Sequence, residues 1–277
     1  MLKRALLSWF FCFLASFSLL AQRIMVSDEL PLRADISYEI IGELAQQVLL
    51  FRDKSVSFEV QSFDQNMRSG WTREIELLKR TPEVIGINAI RDSFTVFYRH
   101  REKGNYYIRA HRYKAKAILK DSVLISTYGG IFQSADLDIL RSEDRKKILL
   151  YHVERQSEIH AILFDNETMK KVWEYRFEPQ DFRFSEDALH LMVSNAGDMY
   201  IVIEKGNYRV RKGDYNYEVF KYGANHPSVL RYLVSLDNFF TFDLAFHFDN
   251  INQQMVGGGF YYEKNPLRAE GFFALRL

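Results

Sequence analysis

Apolar residues in this chain gather in runs of about five to eight, closed roughly every 8–12 residues by Gly, Asn, Asp or Ser, which is the spacing of an all-β chain. Within the runs, Tyr, Phe, Leu and Val recur at alternate positions, as a pleated strand requires. One stretch, Glu39 to Leu50, has a helical option. It divides equally well into two strands, Ile40-Ile41-Gly42 and Val48 to Phe51, joined by a turn.

A repeat decides in favour of strands. An acidic–basic dipeptide follows an apolar run five times, at Asp53-Lys54, Glu102-Lys103, Glu154-Arg155, Glu204-Lys205 and Glu263-Lys264. The acidic members are 49, 52, 50 and 59 positions apart. Glu102-Lys103-Gly104-Asn105-Tyr106 recurs letter for letter as Glu204-Lys205-Gly206-Asn207-Tyr208. Two units also share Phe63-Asp64-Gln65 before Trp71 and Phe164-Asp165-Asn166 before Trp173, where an Asp closes a turn and an aromatic begins the next strand. Ser142-Glu143-Asp144 and Ser185-Glu186-Asp187 place polar turns ahead of apolar strands in two adjacent units.

Units of about fifty residues point to a repeat architecture. A lone four-stranded meander leaves both faces and two edges open, and radial packing covers those faces with neighbouring units. The expectation is an all-β, propeller-like array of about five antiparallel four-stranded blades, at roughly 35–80, 81–128, 129–180, 181–236 and 237–277. The rival is a flat β-solenoid, whose repeats are shorter. The last blade is incomplete: Phe239 to Phe248, Gln254 to Tyr262 and Ala269 to Leu277 supply three strands. Either a segment from 23–34 completes it, or the domain at 22–277 is truncated at its C-terminus; the reading leans to truncation.

The N-terminus changes the picture of where the protein works. Lys3-Arg4, an apolar run from Ala5 to Leu20 and a small residue at Ala21 form a signal peptide over 1–21, cut between Ala21 and Gln22. The run is shorter than the ~20 residues a bilayer span needs, and no transmembrane segment is expected in the mature chain. The only cysteine, Cys12, lies in that segment behind Trp9-Phe10-Phe11, so neither a lipid anchor nor a disulfide framework is expected. Without Lys3 and Arg4 the chain holds 35 Lys and Arg against 36 Asp and Glu, a balance that argues against nucleic acid as a partner. The 16 Tyr and 23 Phe suit many packed strands.

Gln253-Gln254-Met255-Val256-Gly257-Gly258-Gly259-Phe260-Tyr261-Tyr262-Glu263-Lys264-Asn265, followed by Gly271-Phe272-Phe273, is similar to a pattern in exported, uncharacterised β-propeller-like repeat proteins of Bacteroidota. The Leu-Leu-Ala-Gln exit and the strand Leu49-Leu50-Phe51-Arg52-Asp53 resemble the same group, over most of the mature chain. The resemblance implies an export route and a fold, and carries over no catalytic residue.

For chemistry, the segment Phe97 to Lys116 is richest in charge and aromatics. Alternation puts Arg109, His111 and Tyr113 on one face and Ile108, Ala110 and Arg112 on the other. Arg99, Arg101, Tyr107, Arg109, His111 and Tyr113 are the candidate ligand-binding residues, a groove for an anionic polymer. The alternative is a solvated outer strand pair whose long side chains protect an edge. The histidines (His100, His111, His152, His160, His190, His226 and His247) show no tight ligand spacing, so no metal and no cofactor is expected. Asp136-Leu137-Asp138 and Asp249-Asn250 develop into no calcium loop. A Gly-x-Ser-x-Gly elbow, a Ser-x-x-Lys pair and a His-Glu-x-x-His helix are missing from the sequence, so no catalytic nucleophile is assigned. Gly257-Gly258-Gly259 reads as close backbone approach or a bulge.

Two functions remain. One is a non-enzymatic exported scaffold or binding module for a protein or polysaccharide partner, in the periplasm, at the cell surface or outside the cell. The other is a carbohydrate-active hydrolase or lyase using central-channel carboxylates among Asp136, Asp138, Glu186, Asp187 and Asp243. Turn placement is the simpler role for Glu186 and Asp187.

Overall fold

A computed structural model describes residues 24–31, 35–54, 57–78, 82–129, 136–205, 216–224, 226–236, 239–263 and 268–277. The expected export segment with its exit at Ala21 and Gln22 lies outside the described residues, as does the Gly206-Asn207-Tyr208 part of the second motif copy.

The described residues are all β and form five antiparallel sheets, each a meander in sequence order. Blade 1 holds β1 (Ser37–Leu44), β2 (Gln47–Asp53), β3 (Phe58–Phe63) and β4 (Ser69–Ile75). Blade 2 holds β5 (Glu83–Ile90), β6 (Ser93–Glu102), β7 (Asn105–Lys114) and β8 (Leu119–Gly129). Blade 3 holds β9 (Asp138–Arg141), β10 (Lys147–Glu154), β11 (Glu158–Asp165) and β12 (Lys170–Phe177). Blade 4 holds β13 (Ala188–Val193), β14 (Met199–Glu204), β15 (Tyr217–Gly223) and β16 (His226–Val234). The last sheet has three strands, β17 (Phe240–Asp249), β18 (Gln254–Tyr262) and β19 (Gly271–Arg276). The first strands of successive blades, β1, β5, β9, β13 and β17, touch one another in that order, so the blades fan out from a common axis as in a propeller.

The second strand of each blade ends at the repeated dipeptide: β2 at Asp53, β6 at Glu102, β10 at Glu154, β14 at Glu204, and β18 one residue before Glu263. The charged pair marks where a core strand emerges into its hairpin turn, and Lys103 and Arg155 adopt positive φ there. At Asp64 and Asp165 the carboxylate closes the turn after the third strand by accepting from backbone N–H groups two to four residues on. Trp71 and Trp173 follow on the outermost strands. Trp173 donates its indole N–H to Gly197 O at 3.2 Å, tying blade 3 to blade 4.

The core consists of four apolar layers, one at each junction. Leu49, Val60 and Phe51 meet Val96, Phe94 and Tyr98 between blades 1 and 2. Phe97, Ile108 and Ala110 meet Ile148, Leu150 and Phe164 between blades 2 and 3. Leu149, Leu163 and Trp173 meet Met199, Ile201 and Phe220 between blades 3 and 4. Tyr200, Val202 and Tyr217 meet Phe248, Met255 and Phe246 between blades 4 and 5. Strands covered on both faces lose the polar alternation of a half-solvated sheet, and β6 buries eight residues in succession from Ser93. Each large apolar side chain so enclosed contributes about 1.5–3 kcal/mol relative to exposure.

A polar ladder near the axis supplements these layers. Asn88 Nδ2 donates to Arg145 O at 2.8 Å, Asp144 N to Asn195 Oδ1 at 3.0 Å, and Asn195 N to Asn250 Oδ1 at 2.8 Å. Asn250 Nδ2 donates in turn to Glu143 Oε2 at 2.8 Å. Each bond joins the inner hairpin of one blade to that of another.

The two ends of the array differ. At the first, residues of the leading segment lie on blade 1, where Arg52 donates to Pro31 O and pairs with Asp35 at 2.7 Å. The described part of the 23–34 segment adds no strand to the last sheet. At the other end β17–β19 present an uncovered face, with Phe272 78% and Phe260 45% exposed. Among the described residues no apolar cluster joins that face to blade 1. Gly257 and Gly259 sit on the covered face of β18 where a Cβ would come 2.5 Å from the Phe246 ring and 2.7 Å from Leu244, opposite a bulge in β17.

Candidate functional site

The junction between blades 2 and 3 is apolar over most of its length and turns polar near one end. Alternation along β6 points Phe97, Arg99 and Arg101 at blade 3, and along β10 it points Ile148, Leu150, His152 and Glu154 back. Toward the 102–105 and 154–158 hairpins the aliphatic residues give way to Arg, Tyr, His and Glu. Arg99 is 4% exposed and clamps Glu83 through two bonds of 2.8 Å, the fork geometry that suits guanidinium and carboxylate. The Arg99 and Arg101 guanidinium groups each lie 5.7 Å from the centre of the Tyr106 ring. Tyr106 stacks on Tyr128 at 5.6 Å, Tyr128 on His152 at 5.8 Å, and His152 meets His160 edge-on at 4.9 Å. A line of rings therefore crosses from blade 2 to blade 3.

His152 and His160 are direct cross-strand partners on β10 and β11. The turn at 155–157 sets that register, and both rings are buried. His152 Nε2 donates to Glu154 Oε1 and His160 Nε2 to Glu174 Oε1, each at 2.9 Å. Glu174 also receives Lys171 Nζ at 2.6 Å, and Arg176 bridges Glu154 at 3.4 Å and Glu158 at 3.2 Å. Nδ1 of His160 is buried with no hydrogen-bond partner. Burial holds the His160 pKa below its ordinary value despite the Glu174 bond. Burial raises Glu154 and Glu174, but the His152 bond and Arg176 outweigh it at Glu154, and the Lys171 and His160 bonds do so at Glu174, leaving both below the usual carboxylate range. One ligand atom from each of His152, Glu154 and His160 falls within 4.8 Å of the others, a spacing that can hold a metal ion.

The six residues singled out from the sequence do not share a groove. Arg99 and Arg101 face blade 3, whereas Tyr107, Arg109, His111 and Tyr113 face blade 1 with Tyr98 and His100. Nor do β6 and β7 form an outer pair: they are the two central strands of blade 2. The alternation of Arg109, His111 and Tyr113 against Ile108, Ala110 and Arg112 holds, but both faces are covered by neighbouring blades. The charges are reconciled with burial by local partners. Arg99, for example, is held by Glu83; Arg112 is met only in part, Nη1 donating to Glu167 O of blade 3 at 3.1 Å while its Nε and Nη2 are buried with no hydrogen-bond partner.

At His111 the hydrogen bonds close fully. Tyr113 Oη donates to Glu76 O at 3.1 Å, so its oxygen accepts from His111 Nδ1 at 3.3 Å. His111 Nε2 then accepts from Tyr98 Oη at 2.8 Å, and Tyr98 Oη accepts from Leu78 N at 3.4 Å. Every proton in the chain has one acceptor if the imidazole is neutral. Burial first, and the charge of Arg109 second, push the His111 pKa down to about 4.

The weighed carboxylates hold separate posts. Asp138, at the start of β9, pairs across the strand with Tyr151, whose pKa burial and Asp138 push up to about 12. Asp187 accepts from Arg183 N at 3.1 Å and caps the turn before β13, with Lys205 Nζ 3.8 Å away; Glu186 lies in the same turn. Asp243 sits at positive φ in the β17 bulge, and Asp136 is exposed just ahead of β9. The reading of the sequence missed Glu204, which burial at the end of β14 raises to about 7. Its signal was an acidic residue closing the apolar run Tyr200-Ile201-Val202-Ile203.

No protein-family model matches the chain, and no curated protein is similar to it in sequence. Among solved structures it is similar to the β-propeller domain of the Trilobed protease from Pyrococcus furiosus, at 10% identity and a TM-score of 0.44 over 83% of this chain and 69% of that one. It is similar to BamB from Moraxella catarrhalis at 11% identity and a TM-score of 0.34, over 86% and 57%. It is also similar to an exo-β-1,3-galactanase from Phanerochaete chrysosporium at 8% identity and a TM-score of 0.36, over 92% and 60%. The chain spans between half and about two thirds of the length of the solved structures it matches. At these scores none of them transfers an activity.

Proposed function

We propose that this chain is an exported, non-enzymatic propeller-like binding module, akin to the exported repeat proteins of Bacteroidota it resembles, and that its partner is a protein. The basic, apolar and small-residue order of its first 21 residues supports export. One observation carries the choice of partner: the open face of the last sheet. Phe242, Phe260 and Phe272 stand in cross-strand register on it, beside Gly258 and Ala274. Exposed apolar surface of that kind marks protein contact. At the other four junctions an equivalent apolar face is covered by a β-sheet, so the occupant expected here is another sheet-like protein surface.

A polysaccharide would find few hydrogen-bonding groups on that face. An anionic polymer would find carboxylates already paired with the cations at the polar end of the blade 2–3 junction: Arg99 with Glu83, Lys171 with Glu174, and Arg176 with Glu154 and Glu158. A hydrolase needs two carboxylates about 5–9.5 Å apart; of the candidates Glu186 and Asp187 lie in a turn, Asp243 in a bulge and Asp138 beside Tyr151, while Asp136 is exposed ahead of β9.

The test places a photo-crosslinking amino acid at position 272 and, as a control, at the exposed Lys120 position of β8. Protein adducts from 272 and not from 120 are expected in the native exporting cell. Binding to an acidic glycan that Phe272→Glu leaves unchanged would overturn the proposal.

A further inference from the structure

We infer that His152, Glu154 and His160 form a metal site for a borderline divalent ion such as zinc, held between β10 and β11 on the side of blade 3 that faces blade 2. This inference is independent of the protein-binding reading. Two imidazoles and one carboxylate are the donor set such ions accept, with a fourth position left for water or a ligand. The three ligand atoms already lie within 4.8 Å of one another, so little movement gathers them around one ion.

The backbone fixes the arrangement. Cross-strand pairing opposes His152 to His160, and Glu154 follows His152 by two residues, hence on the same face. Both rings are held by packing: they are 4% and 2% exposed, and His152 is stacked under Tyr128. Two adjoining buried imidazoles are costly unless their nitrogens are used, yet Nδ1 of His160 has no hydrogen-bond partner. Glu174 receives the Nε2–H of His160, the outer-shell contact that orients a ligating histidine. Entry is open on the Glu154 side, which is 27% exposed. Arg176, the cation paired with it, is half exposed and can swing toward Glu158 as an ion arrives.

The test is equilibrium dialysis of chelator-stripped protein against ZnCl2, with CoCl2 as a spectroscopic probe. One equivalent of zinc is expected, with visible cobalt bands of a low-symmetry four-coordinate site. Glu154→Gln, at the exposed rim, should weaken zinc binding at least tenfold while the circular dichroism and melting profile stay unchanged. His160→Gln should abolish the cobalt bands. His190→Gln, at a half-buried histidine of blade 4, should leave both readouts as in the parent. The inference fails if the parent binds no zinc. It fails equally if Glu154→Gln binds zinc as tightly as the parent, or if His190→Gln loses as much as His160→Gln.

Discussion

His111 and His160 are buried to the same degree, both on the third strand of a blade, and both lie below the ordinary histidine pKa. Their surroundings differ in kind. His111 sits between two tyrosine hydroxyls, and the hydrogen bonds close on the backbone at Glu76 and Leu78. His160 sits against a second histidine among carboxylates that have other cationic partners, with one ring nitrogen unused. Burial alone therefore does not tell a structural histidine from one able to take a ligand. The accounting of donors and acceptors does.

The largest expected difference between the two is in stability. His111→Leu leaves the Tyr98 hydroxyl proton without its acceptor and the Tyr113 oxygen without its imidazole donor in a buried junction, and should cost about 3–4 kcal/mol in urea unfolding. His160→Leu leaves Glu174 still bonded to Lys171 and Ser126 and should cost about 1 kcal/mol. Equal losses would mean that the two sites are not distinct.

A smaller effect is expected from pH. His111 is neutral when folded down to about pH 4, whereas its unfolded pKa is near 6.5. Between those values the unfolded chain binds the extra proton, so stability is full above pH 6.5 and falls as the pH drops toward 4. At pH 5 this amounts to about 2 kcal/mol, seen as the part of the pH dependence that His111→Leu removes. A His111→Leu variant with the parent's slope between pH 7 and 5 would refute it. The smallest effect is at Arg176, half exposed and paired with Glu154 and Glu158. Arg176→Ala should change stability by less than about 0.5 kcal/mol, and a loss above 1 kcal/mol would show that its ion pairs help hold blade 3.

Much of the fold was legible because the repeat marks a physical event. Asp53, Glu102, Glu154 and Glu204 close the second strands because a buried strand must reach polar residues where it leaves the core. Asp64 and Asp165 could be placed in turns because their side chains close those turns themselves. The site was less legible. His152 and His160 are eight residues apart, and only the 155–157 turn makes them partners. The charge of Phe97 to Lys116 suggested solvent, yet the partners that make it compatible with burial, Glu83, Glu76 O and Glu167 O, come from distant parts of the chain.

Apart from the Asn250 bond to Glu143, which reaches from the last blade to blade 3, the polar ladder near the axis joins adjacent blades, as the apolar layers do. Cooperativity in such an array travels by nearest neighbours. A blade flanked on both sides must lose two seams before it opens, whereas β17–β19 need lose one. Amide exchange should therefore be fastest in the last blade and slowest in blades 2 to 4, so that the sheet bearing the free aromatic face is also the one that loosens first.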